Sequence, residues 1–387
     1  MRRYKSIDTV RGIAVFGMVF GHILNWWLIP EDYWLYLFLY YAMGPIAAGG
    51  FLFISGISAI LAYEKSVVMM KENEDFNMPM VRNVYILRAL LLLVIAFIYN
   101  IAIALAVNDL TWIWAWFVLQ TIGFSLLLGW PLLKTSKSFR VLFSAVILII
   151  NFYLLELLYP YQGQANIYGI LFHILFNPLD LYPVIPFYTM FILGTVVGDI
   201  LYDINSIDEK NKREYAYKYK FIYPIFFMGI SLTIFGILFQ FPDFFTYYKF
   251  SAIVYAIGII CIIVSVFIGI EEFELIKFKK NYDFFYYYSY YSFTIFLVHN
   301  VLYFLFYKML NAITVWIAIV FTMFFFTILF RLIYKKLGPK ASLKVGIGLI
   351  SLLITLKLEK RKNVKLGNLK PSLTLSDLLK TGNERKN

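Results

Sequence analysis

Ten runs of about 20 predominantly apolar residues constrain this chain more than any other feature. A helix of about 20 apolar residues crosses the roughly 30 Å hydrocarbon core of a bilayer, and only helices and closed barrels satisfy every backbone hydrogen bond there. The sequence therefore predicts an all-α fold, a polytopic membrane helical bundle of about ten transmembrane helices. The predicted spans are 12–28, 46–62, 84–107, 113–133, 141–159, 182–201, 221–240, 250–270, 290–307 and 312–334.

The composition agrees with a membrane class. Hydrophobic residues make up 61% of the chain and charged residues 15%, with a mean hydropathy of +0.74, whereas soluble domains are about 25% charged. This excludes a soluble enzyme, a disordered chain and a coiled coil. A net charge of +12 could indicate nucleic acid in a soluble protein, but here we expect membrane lipids and no nucleic-acid partner, because basic loops face the anionic inner leaflet.

The Lys and Arg residues between the predicted spans set the expected orientation. They cluster at the N-terminus and in every second gap, whereas the other five gaps hold only Lys249 and Lys308, both at span ends. The positive-inside rule then predicts a multi-pass protein of the cell membrane with both termini cytoplasmic. We expect a transmembrane domain at 1–340, followed at 341–387 by an interfacial helix on the cytoplasmic side and a basic tail. The stretches 33–42 and 166–176 are predicted to be helical without spanning, as interfacial or re-entrant elements.

Polar side chains inside the predicted spans are the functional candidates, because they are costly in lipid. Three His residues in separate segments show no metal-ligand spacing, so no metal site is expected. Each polar residue also has a structural interpretation, such as a hydrogen bond between helices or, near an interface, a charge that reaches water. The candidates are His22, Asn25, Arg88, Asn100, Gln120, Asn151, Glu156, His299 and Asn300.

Four polar residues fall on one face of the first predicted helix. Arg11 and His22 are eleven residues apart, which is close to three helical turns and about 16 Å along the axis. Asp8 precedes Arg11 by about one turn, and Asn25 follows His22 by three residues. This stripe is expected to face the interior of the bundle. Asp8 and Arg11 could also be only an ion pair at a helix start, and His22 only a packing residue.

Several short motifs, each present once, follow one another along the chain. They are SIDTVRGIA at 6–14 followed by His22, FLFISGIS at 51–58, RALLL at 88–92, VLQTIG at 118–123, YPVIPF at 182–187 with FILG at 191–194, SFTIFLVHN at 292–300 and LGP at 337–339. Together they resemble the transmembrane acyltransferase superfamily. Its members include bacterial enzymes that O-acylate cell-surface glycans and the catalytic domain of heparan-alpha-glucosaminide N-acetyltransferase.

The resemblance implies an integral-membrane acyltransferase that acts in glycan modification at the cell envelope. It would move an acyl group, expected to be acetyl, from cytoplasmic acyl-CoA to a hydroxyl or amine of an extracytoplasmic or lipid-linked sugar or similar acceptor. Acyl-CoA (acetyl-CoA) would be a donor substrate, with no permanently bound cofactor. The resemblance leaves open whether the protein acylates nitrogen or oxygen and whether it forms a homodimer. The alternatives are a multi-span transporter or flippase with an intramembrane polar path, and a non-catalytic scaffold.

The resemblance also implies roles for individual residues. His22 is the best catalytic match and His299 the second, while Asp8, Arg11, Arg88 and Gln120 match site or donor-binding positions. Neutral His22 could take a proton from the acceptor or be acylated itself. The amides of Asn25, Gln120 or Asn300 could orient His22 or donate to the oxyanion.

Overall fold

A computed structural model describes residues 3–72, 77–246, 248–275 and 283–359. Within these ranges the chain forms helices and turns, with one parallel β-bridge between Leu28 and Leu310. The prediction of an all-α membrane fold is confirmed. The α-helices are α1 (Lys5–Trp27), α2 (Trp34–Glu72), α3 (Met78–Val107), α4 (Val118–Gly129), α5 (Lys137–Leu158), α6 (Ile167–Phe176), α7 (Val184–Asn205), α8 (Lys210–Ala216), α9 (Tyr223–Leu238), α10 (Phe250–Glu272), α11 (Asp283–Tyr290), α12 (Ser292–Val298), α13 (Thr314–Lys336) and α14 (Leu343–Leu358).

Nine helical segments of the described ranges are long and apolar enough to cross a bilayer, and they coincide with nine of the ten predicted spans. Two of them combine shorter elements. A 3-10 turn precedes α4 to give Leu110–Gly129, and a π-helical turn joins α8 to α9 to give Lys210–Leu238.

The prediction of a continuous helix at 290–307 is wrong. The chain there forms α11, α12 and a 3-10 helix, His299–Phe304. Hydropathy could not reveal the break, because it does not report side-chain hydrogen bonds to backbone carbonyls, two of which are local here and one tertiary. The imidazole of His299 occupies carbonyls at the end of α12, and the indole of Trp27 donates to the Leu302 carbonyl at 2.7 Å. Irregular backbone is tolerated at membrane depth where protein covers it.

The broken segment nevertheless runs alongside α1 over its length. Near the start of α1, Arg11 reaches Ser289. Near its end, the backbone amides of Lys308 and Leu310 donate to the carbonyls of Trp26 and Trp27, both at 2.8 Å. Because α1 is itself long enough to span the bilayer, the segment 283–310 lies along a helix of span length, and its own crossing of the membrane stays a prediction.

The shorter predicted stretches have different outcomes. The run 33–42 is not a separate element, because its residues from Trp34 onward begin α2, whose 39 residues extend about 58 Å at 1.5 Å per residue. The stretch 166–176 is the separate ten-residue helix α6. The segment 341–356 is helical as α14, which has 16 residues and is shorter than a typical span. Most of the basic tail lies outside the described residues.

The chain divides into two compact units. The first comprises Met1–Ile7, Tyr41–Lys71 and Ala89–Lys277, and the second comprises Asp8–Tyr40, Glu72–Arg88 and Phe278–Asn387. In the first unit α9 packs on α10, and α7 packs on α4 and α5. In the second unit α11 packs on α13, and α12 on α14. The predicted boundary at 340 falls inside the second unit and stays a prediction.

Small residues bring the backbones of α2 and α7 into contact within the first unit. A Cβ atom at Gly56 would overlap the Phe191 carbonyl, and one at Gly194 would overlap the Phe53 carbonyl. Close approach through small residues is a common way for membrane helices to associate, since lipid offers no hydrophobic driving force between them. Both glycines belong to the motif-bearing stretches of the sequence, so these motifs carry helix packing.

Candidate functional site

Three rings meet in the second unit where α1 approaches the end of α12. His22 and Trp26, one turn apart on α1, stack with a centroid distance of 5.1 Å. Trp26 stacks on His299 at 5.7 Å, and the centroids of the two imidazoles are 4.9 Å apart. The structure therefore brings together the two histidines that the sequence proposes for catalysis.

Backbone carbonyls fix the orientation of the His299 ring. Nδ1 lies 2.6 Å from the Phe296 carbonyl oxygen and 3.2 Å from that of Ile295. Because a carbonyl oxygen only accepts, Nδ1 carries the proton and Nε2 carries the lone pair. His299 is 1% exposed, and its Nε2 has no hydrogen-bond partner among the described residues. The site thus contains a buried nitrogen that can accept a proton.

His22 differs from His299 in its access. It is half-buried, and neither of its ring nitrogens forms a hydrogen bond within the described ranges. His22 is therefore the more exposed of the two imidazoles, and His299 is the buried one with an unused lone pair.

Two asparagines lie beside the histidines along the chain. Asn25, three residues after His22, accepts a hydrogen bond from the Tyr33 hydroxyl through Oδ1 at 2.5 Å. This bond directs Oδ1 toward Tyr33 and leaves the Nδ2 donor to point elsewhere. Asn300, which directly follows His299, is half-buried in the 3-10 helix.

Backbone and indole hydrogen bonds hold the two histidine-bearing segments together. The Trp27 indole donates to the Leu302 carbonyl. The amide of Ile29 donates to the Leu310 carbonyl at 2.9 Å, next to the two bonds between 308–310 and α1. Each such bond contributes about 0.5–1.5 kcal/mol, and together they set the position of His299 relative to His22.

The inner half of the predicted stripe is a contact between α1 and α11. Arg11 donates to the Asp8 carboxylate at 3.2 Å and reaches the Ser289 hydroxyl at 3.4 Å, and Ser289 donates to the same carboxylate at 3.3 Å. Gly12 directly follows Arg11, and a Cβ there would overlap the carbonyl of Phe285, one turn before Ser289 on α11. Arg11, 8% exposed, already has partners in the fold, as the ion-pair alternative anticipated.

Arg88 has a different environment. Its side chain, ten residues into α3, is exposed. It forms no hydrogen bond or ion pair with any described residue, and Tyr85 is its electrostatic neighbour. By contrast, Arg140 of the first unit is fully buried, pairs with Asp199 and donates to the Thr195 hydroxyl at 3.0 Å. Of Arg11, Arg88 and Arg140, Arg88 is thus the one whose guanidinium can contact a ligand without breaking an internal bond.

Gln120 belongs to the first unit and is buried on α4. The Asn100 amide nitrogen donates to its Oε1 at 2.9 Å, and to the carbonyls of Ile113 and Ala115 at 3.1 and 2.8 Å. The Gln120 Nε2 has no partner among the described residues. The structure therefore joins Gln120 to Asn100, another polar candidate of the sequence, as a hydrogen bond between helices would.

Sequence reasoning missed Trp26 and Ser289. Trp26 could have been found from its position one turn after His22, since side chains four residues apart meet on a helix. Ser289 gave no signal, because its partner Arg11 is distant in sequence. Among the described residues no group of three His, Cys, Asp or Glu side chains could hold a metal ion.

Comparison with protein families places this site in a functional context. The model of the catalytic domain of heparan-alpha-glucosaminide N-acetyltransferase matches residues 3–241, more than half of the 387 residues. The chain belongs to this family. The suspected resemblance is confirmed, and the protein is a multi-pass membrane protein of an acetyltransferase family. The residues matched by the heparan-alpha-glucosaminide N-acetyltransferase family include His22 and Arg88, whereas His299 lies beyond them. No curated protein matches the chain.

Proposed function

We propose that this protein transfers an acetyl group from cytoplasmic acetyl-CoA to the amine or hydroxyl of a sugar on the other side of the membrane. The observation that carries the proposal is the pairing of accessible His22 with buried His299, whose Nε2 has a lone pair and no partner among the described residues, in a chain of an acetyltransferase family. Proton removal from the acceptor is the step that such a pair can perform.

In the proposed step His22 carries the proton of the acceptor to the leaving thiolate. The acceptor nitrogen or oxygen attacks the thioester carbonyl of acetyl-CoA while one ring nitrogen of His22 takes its proton. A carbon–nitrogen or carbon–oxygen bond forms, the carbon–sulfur bond breaks, and His22 returns the proton to the departing CoA thiolate. We propose that, once His22 is protonated, its other N–H turns to Nε2 of His299, which has no partner among the described residues, and that this lone pair stabilises the imidazolium.

The negative charge on the thioester oxygen needs a donor. Asn25 suits this role, because Tyr33 occupies its Oδ1 and its Nδ2 forms no hydrogen bond within the described ranges. Asn300 and Gln120 stay predictions from the sequence for the same role.

Arg88 is our proposed contact for the phosphates of CoA. It is exposed and has no internal ion pair among the described residues, and a guanidinium binds phosphate oxygens in a bidentate manner. The orientation proposed from the basic loops places the start of α3 on the cytoplasmic side, where acetyl-CoA is available.

Replacement of the histidines tests the function. Purified protein in nanodiscs is supplied with acetyl-CoA and methyl glucosaminide, and acetylated product is measured. A general base contributes about 10²–10⁴-fold in rate, so we expect His22→Ala and His22→Gln to lose most of the activity. His299→Gln should retain part of it, because the Gln carbonyl still accepts a hydrogen bond. His173→Gln, in the separate helix α6, is the matched control and should leave the rate unchanged.

Two outcomes would contradict the proposal. Near-normal turnover in His22→Gln would make His22 a packing residue. Uptake of the sugar into liposomes without acetyl-CoA consumption would favour a transporter. If radiolabelled acetyl groups instead remain on wild-type protein but not on His22→Gln, the acyl-histidine route applies.

A further inference from the structure

A column of tyrosines begins beside the histidine pair and continues along the first turns of α2. The rings of Tyr33 and Tyr36 lie 5.0 Å apart and those of Tyr36 and Tyr40 lie 5.2 Å apart between centroids. The Tyr33 hydroxyl binds Asn25, which is one turn from His22. A chain of contacts therefore leads from α2 to the reactive pair.

The same turns of α2 have a second face. Trp34 and Phe38 are 60% and 65% exposed, whereas Tyr33, Tyr36 and Tyr40 are half-buried. In a membrane protein, large apolar side chains with this much exposed surface contact lipid. The tyrosine column therefore lies on the side of α2 that faces the protein.

A second aromatic column begins at the same ring cluster. Trp26 contacts Tyr303 edge-on at 5.9 Å, and Tyr303 contacts Tyr307 at 4.5 Å. These residues follow His299 in the chain, just as the first column follows His22. Both columns thus begin next to the cluster that contains the two histidines, the first through Asn25 and the second through Trp26.

Stacked tyrosines have the chemistry that a pyranose ring requires. A pyranose has an apolar face of C–H groups and a rim of hydroxyls, and a tyrosine provides an apolar ring face together with a hydroxyl that both donates and accepts. Ligand sites generally combine aromatic walls with a few placed polar groups.

We propose that the two columns form the acceptor subsite and bind a pyranose sugar, with Tyr36 and Tyr40 contacting the ring or its neighbouring unit. This inference rests on the proposed acetyl transfer at His22, and it adds the residues that select the acceptor. The subsite delivers the sugar amine or hydroxyl to His22 past Asn25 and Trp26.

Acceptor kinetics test the subsite. Initial rates are measured in nanodiscs with saturating acetyl-CoA and varied methyl glucosaminide. Loss of one aromatic contact should raise the KM for the sugar about tenfold in Tyr36→Leu and Tyr40→Leu, which keep apolar volume. The kcat and the KM for acetyl-CoA should stay within about twofold of wild type. Tyr36→Phe, which keeps the ring, should show a smaller effect. Phe38→Leu, on the lipid-facing side of the same turns, is the matched control and should be unchanged.

The outcomes separate this inference from the proposed function. An unchanged sugar KM in Tyr36→Leu and Tyr40→Leu, or an equal change in Phe38→Leu, would overturn the subsite and leave acetyl transfer intact. Acetylation of ethanolamine by wild-type protein with no acetylation of any pyranose would also overturn it. A wild-type protein that consumes no acetyl-CoA with any acceptor would instead reject the proposed function.

Discussion

A single ring nitrogen, Nε2 of His299, is the residue-scale feature that most favours chemistry over packing. A buried polar atom without a partner costs about 1–3 kcal/mol, so in a folded protein it calls for an explanation. Nδ1 of the same ring is fully used by the carbonyls at the end of α12. The ring that carries the unused nitrogen lies 4.9 Å from the His22 ring between centroids.

The two arginines of the predicted donor site are expected to respond differently to replacement. Arg88→Ala should weaken acetyl-CoA binding by about 1.5–3 kcal/mol, the usual value of a hydrogen bond to a charged group, while the thermal stability stays unchanged. Isothermal titration calorimetry in nanodiscs measures the affinity. Arg88→Lys, which keeps the charge but loses bidentate geometry, should fall between Ala and wild type.

Arg11→Ala serves as the comparison. It removes the bonds to Asp8 and Ser289, so we expect a lower Tm and an acetyl-CoA affinity close to wild type. Equal losses of affinity in Arg11→Ala and Arg88→Ala, without any change in Tm, would show that Arg11 contacts the donor directly.

At the scale of elements, the motifs of the chain divide between packing and chemistry. The motif glycines on α2 and α7 allow backbone contact between those helices. The His of the first motif and the His of SFTIFLVHN meet in one ring cluster. A family pattern alone does not distinguish these uses, because a glycine needed for close approach and a catalytic side chain constrain the sequence equally.

Gly194→Ala tests the packing interpretation. The added methyl would overlap the Phe53 carbonyl, and overpacking of this kind costs about 1–3 kcal/mol. We therefore expect a lower Tm in detergent, measured by the loss of helical circular dichroism. Gly17→Ala on α1, where nothing lies within 4 Å of the added methyl, is the control and should be neutral or stabilising. Equal Tm values in the two variants would show that α2 and α7 separate easily.

At the scale of the whole molecule, the number of crossings depends on the broken segment. Nine of the crossings are helices in the described ranges. The predicted tenth crossing would consist of α11, α12 and the 3-10 helix, which accompany α1 from Arg11 to Trp27. This count agrees with the alternation of Lys and Arg between gaps, which predicts both termini on the cytoplasmic side.

Accessibility tags test this topology. A tag at Gly163, between α5 and α6, should be labelled from outside, and a tag at Asp208, between α7 and α8, only after permeabilisation. A tag at Asn311 should also be labelled from outside, because it follows the tenth crossing. Labelling of Gly163 and Asp208 from the same side would refute the span count, and an inward Asn311 would show that the broken segment does not cross.

The sequence by itself determined the class of the protein, the position of nine spans and the short set of polar residues within them. Hydropathy and periodicity are properties of consecutive residues, so they report helices and the faces of single helices such as α1. Only the tertiary structure decided which of these side chains meet. It paired His22 with His299, joined Arg11 to Ser289 and Gln120 to Asn100, and broke the helix at His299. Contacts between distant helices depend on how each helix is rotated and where its backbone bonds are replaced, and no pattern along one helix contains that information.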